Sequence, residues 1–117
     1  MIDARTGRCL LSRVEVARGL VERTVGLMGH KELKPDTGMY FPGCSSIHMF
    51  FMSFPIDVAY LDTANRIKKI VPNLKPWRLS GCWGASSVLE APAGWVRKAR
   101  VSVDMQVSFE PADEVTA

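Results

Sequence analysis

From Ile47 to Leu61 the chain reads IHMFFMSFPIDVAYL, fifteen residues in which only His48 and Asp57 can carry charge near neutral pH. The first half is apolar on both alternating faces, with Ile47, Met49 and Phe51 on one and His48, Phe50 and Met52 on the other. A strand with one wet face would alternate, so this run predicts a strand buried on both sides. Pro55 leads into IDVAYLD, rich in strand formers, DTAN supplies turn residues, and Ile67 with Ile70 marks a returning strand. That pair predicts a β-hairpin.

The remaining segments fit the same class. Residues 8–16, with Val14 and Val16, predict a first strand. From Ala17 the period changes to that of a helix, with Leu20, Val21, Thr24, Leu27 and Met28 on one side and Gly29 as a stop signal. KPDTGMYF followed by PGC gives two turns around a short apolar run, a candidate hairpin. Residues 72–84 contain two prolines, two glycines and no clean period, which predicts a long loop. ASSVLEAP predicts a strand, and so does RVSVDMQVSF at 100–109, where Val101, Val103, Met105, Val107 and Phe109 alternate. The expected fold is mainly β (α+β), a curved or barrel-like antiparallel sheet with one prominent N-terminal helix packed on it. A doubly wound α/β fold would need helices between the strands.

Length and charge set the bounds. A chain of 117 residues suits one domain, expected over 1–110, with a flexible acidic tail over 111–117. No stretch approaches the ~18 apolar residues of a membrane span, so no membrane is expected as a partner. Asp3, Arg5, Arg8 and Arg13 stand where a signal peptide needs an apolar core, and the expected location is cytoplasmic. Cys9, Cys44 and Cys82 form no C-x-x-C pair, against a closed zinc site, while a Cys44 to Cys82 bridge stays open. The net charge of +3 is concentrated in residues 66–100, where eight cations face the single acid Glu90.

Several polar residues in apolar surroundings are candidates for chemistry. His48 is either hydrogen-bonded in the core or lines a pocket. Asp57 and Glu90 sit among apolar strand neighbours, where an unpaired carboxylate is costly. They suggest a paired acid/base site, or two acids each held by backbone N–H groups or an arginine. Arg23, at the edge of the expected helix's apolar face, is the local cation for one of them. Met52, with Met39, Met49, His48 and Cys44, makes a soft-donor set suited to Cu(I), although methionines in an apolar run usually fill a core. No metal and no cofactor are expected. Trp77 and Arg78, near Trp83 and Trp95, interleave aromatic and basic groups as surfaces that stack on bases or sugars do. Phosphate-cradling glycine loops, G-x-S-x-G and H-E-x-x-H are absent from the sequence.

VERTVGLMGHKEL, GMYF, IHMFFMSFPIDVAYLD, SSVLEAPAGW and VDMQVSF, in that order, resemble the domain of unknown function 192 family, over about Val14 to Phe109. The resemblance implies a compact, mostly β prokaryotic domain with one prominent helix, in many members behind an export signal. It brings no established activity and no catalytic residue. Val103-Asp104 replaces the family's usual Gly-Asp, and His48 with Phe50-Phe51 replaces a more aromatic run, so a pocket here differs in shape. The leading expectation is a non-catalytic domain that binds a small polar, saccharide-like ligand through Arg23, His48, Met52, Asp57, Trp77, Arg78 and Glu90. The partner would then be that ligand, and the chain a monomer or weak homo-oligomer. An enzyme using Asp57 or Glu90 with His48 is one alternative. A module holding nucleic acid or an acidic partner on its basic, Trp-bearing loop is the weaker one.

Overall fold

The structure, a computed structural model, describes residues 1–17, 33–49 and 53–111. In chain order its elements are β1 (Ile2–Asp3), β2 (Arg13–Val16), β3 (Thr37–Pro42), β4 (Ser46–His48), β5 (Ile56–Leu61), β6 (Ile67–Leu74), β7 (Leu79–Gly81), β8 (Ser87–Pro92), a single-turn helix α1 (Trp95–Lys98) and β9 (Val107–Ser108). Five strands form one open sheet in the order β2-β3-β8-β5-β6, and two small sheets, β1-β9 and β4-β7, flank it.

β5 and β8 are the sheet's centre because their sequences carry apolar groups on both alternating positions. All six residues of β5 are buried, as are five of the six in β8. One face contributes Ala59, Leu61, Leu89 and Ala91 to a core completed by Leu11, Ile67, Trp95, Val101 and Val107. The other contributes Ile56, Val58, Tyr60 and Val88 to a core with Ala17, Leu33, Phe41, Met49 and Leu74. The period of two along β5 thus sorts its side chains into two separate cores.

The β5–β6 hairpin forms as its sequence predicts. Asp62 Oδ1 accepts the N–H groups of Ala64 and Arg66, both at 2.9 Å, and Asn65 takes the left-handed backbone with φ 60°. This is the local side-chain bonding for which Asp and Asn are favoured in turns. On the opposite side, Gly94 (φ 93°) starts α1, and Trp95 Nε1 donates 2.8 Å to the buried Leu10 carbonyl.

Five expectations need correction. The run predicted as a strand buried on both sides contributes only Ile47 and His48 to β4, where Ile47 is half-buried and His48 exposed; Ser53 and Phe54 are not strand, and 50–52 lie outside the described residues. The main sheet is open and mixed, neither a barrel nor wholly antiparallel, since β2 and β3 pair in parallel. The twenty residues between them are long enough for the crossover that a parallel pair requires. The turn at Pro42-Gly43 closes no hairpin: β3 pairs with β8, while β4 pairs with β7. Residues 72–84 hold the end of β6 and all of β7, although Pro72 lies within the first and Gly81 within the second. Finally, 100–109 is mostly not strand. Asp104 turns the chain at φ 74°, Val103 is 49% exposed, and pairing is confined to a Gln106–Arg66 bridge and Val107–Ser108, so of the alternating valines Val101 packs from a loop, Val107 packs from β9 and Val103 faces water. The predicted helix from Ala17 to Met28 falls almost wholly outside the described residues, and so does the acidic tail beyond Pro111. Among the described residues α1 is the only helix.

Candidate functional site

Asp57 lies in the middle of the sheet at 1% exposure, yet its burial is fully compensated. Its Oδ1 accepts the N–H of Asn73 and its Oδ2 accepts the N–H of Val96, both at 2.8 Å. Asn73 needs such a partner because its backbone is left-handed (φ 53°), and Val96 presents one of the N–H groups that the first turn of a helix leaves over. Gly94, at the start of α1, has no side chain to cap that turn. Asp57 therefore ties the end of β6 and the first turn of α1 to the middle of β5, a structural role for its carboxylate.

Glu90 is different. The register pairs Glu90 with Met39 on one side and Val58 on the other, so its side chain shares their face. Asp57 pairs with Ala91, one residue out of phase, and the period of two sends it to the opposite face. The two acids suggested as a pair are therefore divided by the sheet, and the acid/base site expected from them is not formed.

Among the described residues no hydrogen bond or ion pair reaches the Glu90 carboxyl, which lies 7% exposed beside the apolar core of Val58, Tyr60, Phe41 and Met49. Desolvation pushes its pKa up to about 8. At neutral pH it is a protonated carboxyl, able to donate a hydrogen bond, within an apolar wall. Tyr60, also on this face, donates to Ser80 Oγ at 2.9 Å, and burial raises its pKa too. Sequence reasoning passed over Tyr60. A tyrosine inside a fully buried strand signals that its hydroxyl requires a polar partner, and Ser80 supplies it.

The remaining candidates do not converge on Glu90. His48 is exposed on β4, opposite Leu79 of β7, so the expected place in the core does not describe it. Its neighbour Met49 points the other way and is 1% exposed within the core, so the soft-donor set divides across β4. Trp77 and Arg78 are exposed beyond the end of β6, with the N–H of Trp77 donating to the Met49 carbonyl at 2.7 Å. Arg23 and Met52 lie outside the described residues. No disulfide joins Cys9, Cys44 or Cys82, so the Cys44 to Cys82 bridge left open by the sequence is not present. A cleft of about 580 Å³ between Asp3, Arg5, Arg66, Ser102, Asp104 and Gln106 contains none of the predicted residues. Several of its polar groups are engaged already: Asp3 accepts from the Arg5 N–H, and Arg66 donates to the Asp104 carbonyl.

With this geometry in hand, the chain compares with known proteins as follows. The family model DUF192 ("Uncharacterized ACR, COG1430") matches residues 2–109. The UPF0127 protein TK1120 of Thermococcus kodakarensis is 30% identical over 119 residues, spanning 97% of this chain and 75% of that protein. A UPF0127 protein of Thermococcus sibiricus is 27% identical over 124 residues, spanning 100% and 79%. Among solved structures, a protein of unknown function from Novosphingobium aromaticivorans superposes with a TM-score of 0.74 at 25% identity, over 82% of this chain and 74% of that one. A protein of Sinorhizobium meliloti described as a "putative transcription regulator" gives 0.73 at 28% identity, over 80% and 78%.

Proposed function

This chain belongs to the DUF192 family, and we propose that it is a small-ligand-binding domain whose recognition group is the Glu90 carboxyl. The observation that carries this reading is a buried acid with no partner among the described residues, in a wall of Met39, Phe41 and Val58. Burying a carboxyl without a hydrogen bond costs roughly 1–3 kcal/mol. Structural acids escape that cost in the way Asp57 does, through fixed backbone donors. Glu90 forgoes them and stays neutral, which suits a group that must remain available to an incoming molecule.

The chemistry of the wall narrows the ligand. A neutral carboxyl donates one hydrogen bond and accepts others, and apolar side chains supply the rest of the contact. That favours a compact, uncharged ligand with an apolar body and one carbonyl or hydroxyl, over a saccharide with polar groups all round. The exposed tryptophans, which a sugar face would need, are on other elements.

A thermal-shift screen at pH 6 with short-chain alcohols, ketones and esters, run on the wild type and on Glu90→Gln and Glu90→Leu, tests the reading. A ligand bound to the native state raises the melting temperature by mass action. The expected result is a shift in the wild type that weakens in Glu90→Gln, which keeps a donor, and disappears in Glu90→Leu. Equal shifts in all three proteins, or none in any, would remove Glu90 from the site.

A further inference from the structure

We propose that the edge of the molecule formed by β7 and the bulged part of β6 binds single-stranded nucleic acid, independently of the Glu90 site. Trp83 is 98% exposed, Leu79 70% and Trp77 58%, three large apolar side chains along one short stretch of chain. Residues 66–89 contain Arg66, Lys68, Lys69, Lys75 and Arg78 and not one aspartate or glutamate.

The backbone gathers part of this charge around one tryptophan. Between Tyr60 and Leu61 the pairing with β6 slips by a residue: Lys69 faces Tyr60 and Ile67 faces Leu61, leaving Lys68 as the extra residue of a bulge. A bulge re-aims the side chains it carries. Here Lys69 Nζ reaches across to the Gly81 carbonyl at 2.7 Å, and Lys68 Nζ lies 3.1 Å from the place a Cβ on Gly84 would occupy. Two ammonium groups thus flank the turn that holds Trp83 in water; of the two, Lys68 is also within electrostatic reach of Asp62, whose carboxylate already accepts the Ala64 and Arg66 N–H groups. Keeping like charges together is unfavourable for the free protein and is relieved by an anionic partner.

The arrangement favours a nucleic-acid strand over a lipid surface. Trp77 and Trp83 stand at the two ends of β7, six residues apart, roughly 20 Å at most at ~3.3 Å per residue. Arg78 lies between them, and Lys68 and Lys69 lie beside the second. Exposed aromatic faces with cations beside them suit a strand that offers both bases to stack and phosphates to neutralise. Insertion into a bilayer calls instead for apolar groups collected on one face.

The test is fluorescence anisotropy of a labelled oligothymidylate of about 12 nucleotides, within the ~4–16 nucleotide range of small single-strand sites. Wild type, Trp83→Ala and the double variant Lys68→Ala/Lys69→Ala are titrated over about 50 to 200 mM salt. Because these side chains are exposed, unchanged thermal unfolding of the variants confirms that they fold. The expected result is salt-sensitive binding by the wild type, a loss of ~5-fold or more with Trp83→Ala, and a salt slope shallower by ~0.7 for each lysine that contacts a phosphate. Absence of oligonucleotide binding at the lowest salt, or binding that all three proteins share, overturns the proposal. So does capture by phosphatidylserine vesicles without oligonucleotide binding. Glu90→Leu should bind the oligonucleotide as the wild type does, which separates this test from that of the ligand site.

Discussion

Glu90 ties stability to pH in a direction opposite to that of most carboxylates. In the unfolded chain it loses its proton near 4.5, whereas the folded protein holds it up to about 8. Below the lower value both states are protonated and the residue adds no pH dependence. Between the two, the unfolded state binds fewer protons than the native one, so stability falls as pH rises, and above the upper value it levels off. At ~1.4 kcal/mol per pH unit the fall is on the order of 4–5 kcal/mol if no other group compensates. Urea denaturation of the wild type from pH 5 to 8 should show that decline, and Glu90→Gln should flatten it, ending more stable than the wild type at pH 8. Substitution of Asp57, unlike Glu90→Gln at pH 8, is predicted to destabilise. Asp57→Asn keeps one acceptor oxygen but turns an amide NH₂ toward a backbone N–H, so it should cost about 3 kcal/mol in urea unfolding, without altering ligand shifts in the folded fraction. The sequence marked both acids as anomalous, because each interrupts an apolar strand. It did not separate their roles, since Asp57 is answered by Asn73 and Val96, 16 and 39 residues away.

At the scale of elements, packing explains what the sequence revealed and what it concealed. β5, β6 and β8 were legible because their signals are local: an apolar period and an Asp62–Asn65 turn that closes on itself. β3 looked like half of a hairpin, but its partner is β8, some fifty residues on, and no neighbour in sequence specifies that pairing. The choice is recorded instead at Gly38, a position the sequence reading treated only as a turn glycine. A Cβ there would stand 2.6 Å from Leu11 Cδ1, 3.2 Å from the Glu90 carbonyl and 3.3 Å from Leu89 Cδ1. Leu11 is fully buried, so its methyl has little room to retreat, and the Glu90 carbonyl is fixed in the β3–β8 ladder. Gly38→Ala should therefore destabilise by roughly 1–3 kcal/mol through overpacking. A lowered denaturation midpoint with an unchanged m-value would register it, and an unchanged midpoint would mean that Leu11 moves aside freely.

Across the whole molecule, the five-stranded sheet separates two cores and leaves its outer strands to water. Before its buried last residue, Leu74, β6 exposes Pro72 and Asn73, and nearer its start Lys68 and Lys69, while β2 exposes Arg13 and Glu15, which approach to 3.6 Å. Charge, proline and a bulge are the devices that keep open edges from pairing with other chains. The same layout predicts a gradient of local stability. β5 pairs on both sides with buried residues throughout, whereas β1–β9 is held by two residue pairs and β4–β7 by three, with exposed His48 and Leu79 opposite one another. Segments with few buried contacts open at lower free energy than the core. Native-state hydrogen exchange should find the slowest amides in Val58–Leu61 and Val88–Ala91, exchanging only with global unfolding. Those of Ser46–His48 and Leu79–Gly81 should exchange through smaller openings that respond little to low urea. If β4–β7 proved as protected as β5, its tryptophan-bearing edge would be a rigid extension of the core. The lower protection predicted here instead makes the β7 edge able to adjust to a strand laid along it, while the Glu90 carboxyl stays fixed on the most stable part of the sheet.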